Sequence, residues 1–165
     1  MAELTNLESK IAEVLGLAAA SKGAAETVKG MLDDDEQELG GTLDRMHDEA
    51  AETEERCTEV AGGFDGKKTA ILEAARETKQ EATEMMETYL ADEEDALDGF
   101  EFLTMAEAGE VGHWAIVKKL NERAGDSAVK DLSAWALPIQ EEHLATVLKS
   151  SLQLASQEDP NETAE

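Results

Sequence analysis

Apolar residues recur every three or four positions along most of this 165-residue chain. The first such stripe runs from Leu4 to Ala18, and comparable stripes occupy residues 96–124 and 127–156. Only two prolines are present, and no segment alternates β-branched with polar residues as a half-buried strand would. Ala, Glu, Leu and Met, which favour helices, are abundant. The sequence therefore predicts an all-α fold.

Glycines and capping residues divide these stripes into five predicted helices. The first predicted helix has about 20 residues and ends near Gly23, and the second has a kink or break at Gly40-Gly41 and stops at Gly62-Gly63. A connecting helix is predicted over residues 67–91. The last two helices are predicted over 96–124, stopped by Gly125, and after a cap at Asp126-Ser127. Four long amphipathic helices and one connecting helix predict a bundle of helix pairs joined by a crossover. The predicted domain covers residues 1–157, followed by a frayed acidic tail over 158–165.

The chain is strongly acidic, with 39 Asp and Glu against 14 Lys and Arg and a formal charge of −25. Such a charge repels phosphates, so neither nucleic acid nor an anionic membrane is an expected partner. The acids are spread along the whole length, which is typical of salt-adapted proteins, although a well-solvated ordinary acidic protein has the same composition. Molar salt screens this self-repulsion. We predict a halophilic cytoplasmic protein.

Several features that are absent from the sequence argue against particular classes of protein. Cys57 is the only cysteine, so no intrachain disulfide can form. No apolar run approaches 18 residues, and the first ten residues carry acids where a signal peptide carries positive charge. Gly-rich phosphate loops, nucleophile elbows and Cys-x-x-Cys pairs are absent from the sequence, which argues against hydrolases and nucleotide-binding proteins.

Ionisable residues interrupt the apolar stripes, and they are the candidate site. Glu107, Glu110 and His113 are three residues apart, and Glu110 falls in the middle of its stripe. A buried carboxylate must be protonated, paired with a base or bound to a metal. The spacing Glu110-x-x-His113 lets a carboxylate and an imidazole converge on one metal ion.

The other predicted helices offer similar groups near their apolar faces. The full predicted ligand set is Glu8, His47, Glu107, Glu110, His113, Glu142 and His143. A two-metal site normally has two Glu-x-x-His pairs, whereas this chain has Asp44-x-x-His47 and Gln140-x-x-His143 at the corresponding places. The predicted cofactor is iron or manganese, with up to two ions. A bundle without metal, in which the buried acids are protonated or paired, is the alternative.

Several short motifs resemble ferritin-like proteins of the YciE and YciF stress-response type. They are Glu52-Thr53, Gly66-Lys67-Lys68, Ala106-Glu107-Ala108-Gly109-Glu110, Trp114, Ala124-Gly125 and Glu141-Glu142-His143. The resemblance covers residues 43–150. It implies a ferritin-like four-helix bundle with an additional crossover helix, often dimeric and associated with stress. Its acids would be Glu8, Glu107, Glu110, Glu141 and Glu142, whereas Ala108 stands where that family is expected to have a histidine.

Two functions from different classes follow from these expectations. The first is a di-metal carboxylate protein in oxidative or other stress response, acting as a ferroxidase or a peroxide-reducing oxidoreductase, and homodimeric as the resemblance implies. The second is a non-catalytic helical protein for assembly or stress protection, without a metal site. The metal content of protein purified without chelators distinguishes the two.

Overall fold

The computed structural model describes residues 2–92 and 95–163. Within these ranges the chain forms five α-helices and one short 3-10 helix, with no strand, which confirms the predicted all-α fold. The α-helices are α1 Asn6–Lys29, α2 Gln37–Gly62, α3 Lys68–Tyr89, α4 Ala96–Ala124 and α5 Ser127–Ala155, and the 3-10 helix is Asp34–Glu36.

The predicted boundaries are confirmed for the later helices and corrected for the first. Helix α1 continues through Gly23 to Lys29, because Ala25 and Val28 beyond the glycine are buried and one interior glycine costs only about 1 kcal/mol. Gly40-Gly41 lie inside α2 without breaking it, and the chain reverses before α2 begins.

Local capping explains where the helices start and stop. Thr5 caps α1 in a capping box with Glu8, and the side chain of Asp126 accepts a hydrogen bond from the Val129 N–H at the start of α5. Gly125 ends α4 with φ of 72°, a left-handed conformation that glycine adopts without strain. The predicted cap at Asp126 and stop at Gly125 are therefore confirmed.

Four helices surround the core, and each packs against two of the others. Helix α1 packs against α2 and α4, and α5 packs against the same two helices. Sequential neighbours are antiparallel, so α2 and α4 run in the same direction and the chain must return between them. Helix α3 provides this return and packs along α1.

The contact between α1 and α3 is close enough to require a glycine. An added Cβ at Gly16 would overlap the backbone carbonyl oxygen of Ala75 and lie 2.7 Å from Cβ of Thr78. Gly23, which lies further along α1, has no atom within 4 Å of its hypothetical Cβ. The packing of α3 on α1 thus requires a glycine at position 16 but not at position 23.

The core divides into two apolar clusters at opposite ends of the helices. The first contains, among others, Ile11, Leu15, Cys57, Ala61, Ile71, Trp114, Val117, Val129, Leu132 and Ala136. The second contains Ala24, Val28, Leu43, Met46, Phe100, Leu103, Val147 and Leu154. Each end of the bundle is thus stabilised by burial of apolar surface, at roughly 25 cal/mol per Å².

Described residues 156–163 contain no helix and are exposed; the predicted tail also includes residues 164 and 165, which lie outside the described part. Across the described ranges, no helix combines the length and apolar character needed to cross a membrane.

Candidate functional site

A layer of buried polar side chains crosses the middle of the bundle, between the two apolar clusters. We call it the central polar layer, and it consists of Glu49 from α2, Glu107 and Glu110 from α4, and Gln140 and His143 from α5. All except Glu49 are at most 3% exposed. Isolated charges at such depth cost several kcal/mol, so the contacts within the layer decide which groups are ionised.

His143 lies between two carboxylates. Its Nε2 is 2.5 Å from Oε2 of Glu49, and its Nδ1 is 3.5 Å from Oε2 of Glu107. Burial alone would lower the pKa of the imidazole, but the carboxylates of Glu107 and then Glu49 outweigh it and raise that pKa above its usual value. The metal-free protein therefore favours a cationic His143 held between two anions.

Glu110 is the most perturbed carboxyl of the layer. Burial and then the negative charge of Glu107 raise its pKa to about 8, against the opposing effects of the Ser21 hydrogen bond and the His143 charge. The Ser21 hydroxyl of α1 donates to Glu110 Oε1. Glu110 is therefore protonated at neutral pH in the metal-free protein.

Three oxygen atoms of the layer have no hydrogen-bond partner. They are Glu107 Oε2, Glu110 Oε2 and Gln140 Oε1, and each is fully shielded from solvent. A buried acceptor left without a donor typically costs about 1–3 kcal/mol. The layer thus has unused capacity to bind a proton donor or a cation.

Cys57 and Trp114 adjoin this layer and are fully buried, as the sequence predicts for core residues. Burial, and then the charges of Glu110 and Glu54, raise the pKa of the Cys57 thiol far above its usual value. The thiol is therefore protonated and unreactive, and it packs as a small apolar group.

The predicted ligands Glu8 and Glu142 do not join the central polar layer. Glu8 lies in the first turn of α1, where its Oε2 accepts a hydrogen bond from the Thr5 N–H at 2.7 Å. Glu142 is exposed and pairs with Arg45 Nη1 at 2.9 Å. One residue caps a helix and the other forms a surface ion pair.

The predicted ligands His47 and His113 also lie outside the layer. His47 is partly exposed, with Nε2 3.2 Å from Glu26 Oε1 and Nδ1 3.1 Å from Asp48 Oδ1. His113 is partly exposed as well, and its Nδ1 lies 2.9 Å from Oε2 of Glu13 on α1. Of the seven predicted ligands, the structure brings Glu107, Glu110 and His143 together.

Glu49 and Ser21 are members of the site that the sequence pattern did not reveal. Glu49 lies three residues after the buried Met46 and four before the buried Thr53, so helical spacing does place it beside the core face of α2. Ser21 falls between the two apolar segments of α1 and gives no comparable signal. Its role depends on the packing of α1 against α4.

The layer does not match a two-metal site. Glu8 and Glu142 are engaged elsewhere, which leaves three carboxylates and one imidazole in the layer. As their side chains are placed, no three or more His, Cys, Asp or Glu in the described ranges form a group that could hold a metal ion. Within the layer, Glu107 Oε2 faces His143 Nδ1 at 3.5 Å, and Glu110 Oε2 is a further buried oxygen without a hydrogen-bond partner.

No protein-family model, curated protein or solved structure matches the chain. The fold and the site themselves define a helical bundle with a central layer of buried polar side chains. The resemblance to YciE and YciF proteins stays a prediction from the motifs quoted above.

Proposed function

We propose that this chain is a ferritin-like, metal-binding helical bundle in which Glu107, Glu110 and His143 hold one divalent ion, iron or manganese. One observation carries the proposal: two carboxylates with unpartnered oxygens and an imidazole share a buried layer between two apolar clusters. A single ion fits this donor set better than two, since only three of the predicted ligands share the layer. Carboxylate and imidazole donors suit manganese and ferrous iron.

The arrangement around His143 supports this assignment. A metal-binding histidine usually donates its second N–H to a carboxylate, and Glu49 lies 2.5 Å from Nε2 of His143. That contact leaves Nδ1 facing Glu107 at 3.5 Å. Two ligands of one ion typically lie about 3 to 3.5 Å apart, given bond lengths of roughly 2.1 Å.

The topology is consistent with the ferritin-like part of the proposal. Helices α1 and α2 form one antiparallel pair, α4 and α5 form the other, and one long connection containing α3 joins them. A bundle with one long crossover is the arrangement of ferritin-like folds. An iron or manganese ion would supply redox chemistry here, which agrees with the proposed role in oxidative or other stress response.

Metal content tests the proposal. We expect protein purified without chelators, then dialysed against Mn²⁺ in high salt to suppress binding by surface acids, to retain one ion per chain by elemental analysis. Glu107→Gln should lose this ion, because the amide removes the anionic ligand while nearly preserving volume. Glu101→Gln, an exposed change on the same helix with the same loss of charge, should keep it. Equal metal in wild type and Glu107→Gln would contradict the proposal.

A metal-free structural bundle is the second candidate, and one observation favours it. The proton on Glu110 and the cation on His143 already offset most of the negative charge of the layer, and the described side chains are not arranged to hold an ion as they stand. The protein would then act in assembly or stress protection. Metal-free wild type with full stability in molar salt is the result expected for this candidate.

We also propose that the protein forms a homodimer, and light scattering in high salt measures its mass in solution.

We further propose that the protein is adapted to a saline cytoplasm. This adaptation predicts that the free energy of unfolding rises between about 0.1 M and 3 M KCl, because the screening length falls from about 10 Å to under about 3 Å. Urea unfolding at the two salt concentrations measures this. Glu81→Gln, Glu84→Gln and Glu87→Gln together neutralise exposed acids of α3 and should reduce the salt effect. A midpoint independent of KCl would contradict the adaptation.

A further inference from the structure

A cavity of about 210 Å³ lies between α1, α3 and α4. Its walls are mainly apolar, with Leu17 and Ala20 from α1, Met86 from α3 and Phe102 from α4. Met85 and Met105, which also line it, are 60% and 46% exposed. The cavity therefore has an apolar interior and a rim that meets solvent.

The buried end of the cavity is polar. Ser21 and Glu110 both line it, and the Ser21 hydroxyl donates to Glu110 Oε1. Glu110 is 3% exposed, and its Oε2 has no hydrogen-bond partner. Among the described residues that line the cavity there is no Lys or Arg, and the one base, His113, already has its Nδ1 2.9 Å from Oε2 of Glu13. An anionic ligand would therefore meet no unpaired positive charge.

We propose that this cavity binds a small uncharged phenol, with its ring among the methionines and Phe102 and its hydroxyl at Glu110 and Ser21. A cavity of roughly 150 Å³ already accepts a benzene molecule, so one substituted ring fits this volume. Methionine sulfur makes favourable contacts with aromatic rings. A hydroxyl both donates and accepts, so it can partner the free oxygen of Glu110 whether or not that carboxyl carries a proton.

This binding goes beyond the proposed metal function, and the two sites share Glu110. The other residues that line the cavity belong to α1, α3 and α4, whereas Glu107 and His143, the other two proposed ligands of the ion, do not line it. The two can fail separately, because the ligand test below uses full-length protein in chelator and its variants change no proposed metal ligand.

The first measurement compares three probes by calorimetry and by NMR shifts of the full chain. We expect p-cresol to bind saturably at one site, with a Kd of roughly 0.1–1 mM for a ligand of this size. Toluene lacks the hydroxyl and should bind about tenfold more weakly, and benzoate should not bind. Equal affinity for p-cresol and toluene, or no saturation by p-cresol, would overturn the proposal.

Matched variants locate the site. Gly109 lines the cavity and has no atom within 4 Å of its hypothetical Cβ, so Gly109→Leu should fill the space and weaken p-cresol binding at least tenfold. Gly112→Leu places the same side chain on the same helix away from the cavity and should leave affinity unchanged. Ala82→Leu fills the cavity from α3 and serves as a second test of occupancy. Unaltered affinity in a folded cavity-filling variant would overturn the assignment.

Discussion

Glu110→Gln is expected to stabilise the metal-free protein by about 4 kcal/mol near pH 8 relative to wild type, by about 1 kcal/mol near pH 5.5, and to have little effect near pH 4. In the folded protein the pKa of Glu110 is about 8, against an ordinary value of 4.5. Between these values unfolding releases a proton, so wild-type stability falls as pH rises and levels off above about pH 8. Glutamine cannot ionise, and it keeps an oxygen that accepts from Ser21.

Urea unfolding of chelator-treated protein at a series of pH values measures this effect. Glu101→Gln removes an exposed acid from the same helix, and its stability should follow wild type at every pH. The stability of Glu110→Gln should still fall somewhat as pH rises, because of His143. The raised pKa of His143 favours the folded state at low pH, and this stabilisation is lost as the pH rises through that pKa. Parallel pH profiles for wild type and Glu110→Gln would contradict the burial of an ionisable Glu110.

Gly16→Ala is expected to destabilise the protein by about 3 kcal/mol, near the upper end of the usual cost of overpacking. The added methyl group would meet the backbone of α3 at Ala75 and the Cβ of Thr78 at 2.7 Å. Neither contact is with the end of a flexible side chain, so the two helices must separate. This separation would also disturb the cavity that α1 and α3 share.

The matched control is Gly23→Ala in the same helix. No atom lies within 4 Å of its hypothetical Cβ, so the change should stabilise α1 by about 0.5–1 kcal/mol through helix propensity alone. Thermal or urea unfolding of both variants compares the two. Similar stabilities for Gly16→Ala and Gly23→Ala would contradict the close packing of α3 on α1.

Periodicity predicted the helices well because each long helix buries a regular face. The bounds of α4 and the start of α5 follow directly from the apolar stripes and their caps. The prediction that α1 ends near Gly23 is wrong for a physical reason: tertiary packing of the residues beyond the glycine outweighs its small propensity cost. A glycine in the middle of an apolar stripe is weak evidence for a boundary.

The candidate site was only partly predictable, because a stripe fixes a face of a helix but not its depth. Glu107 and Glu110 lie within their stripe and are buried, whereas Glu142 lies one residue before the buried His143 and points to solvent. Glu8 is buried in a capping box at the helix start. The pairing of Glu49 with His143 depends on how α2 packs against α5, and a single sequence does not contain that information.

Anomalous diffraction from crystals grown with Mn²⁺ in high salt tests the proposed metal site most directly. Such crystals are expected to show one strong manganese peak per chain in the bundle interior, in contact with the carboxylates of Glu107 and Glu110 and the imidazole of His143. Peaks confined to surface acids, with the interior free of manganese at millimolar metal, would contradict the proposed function.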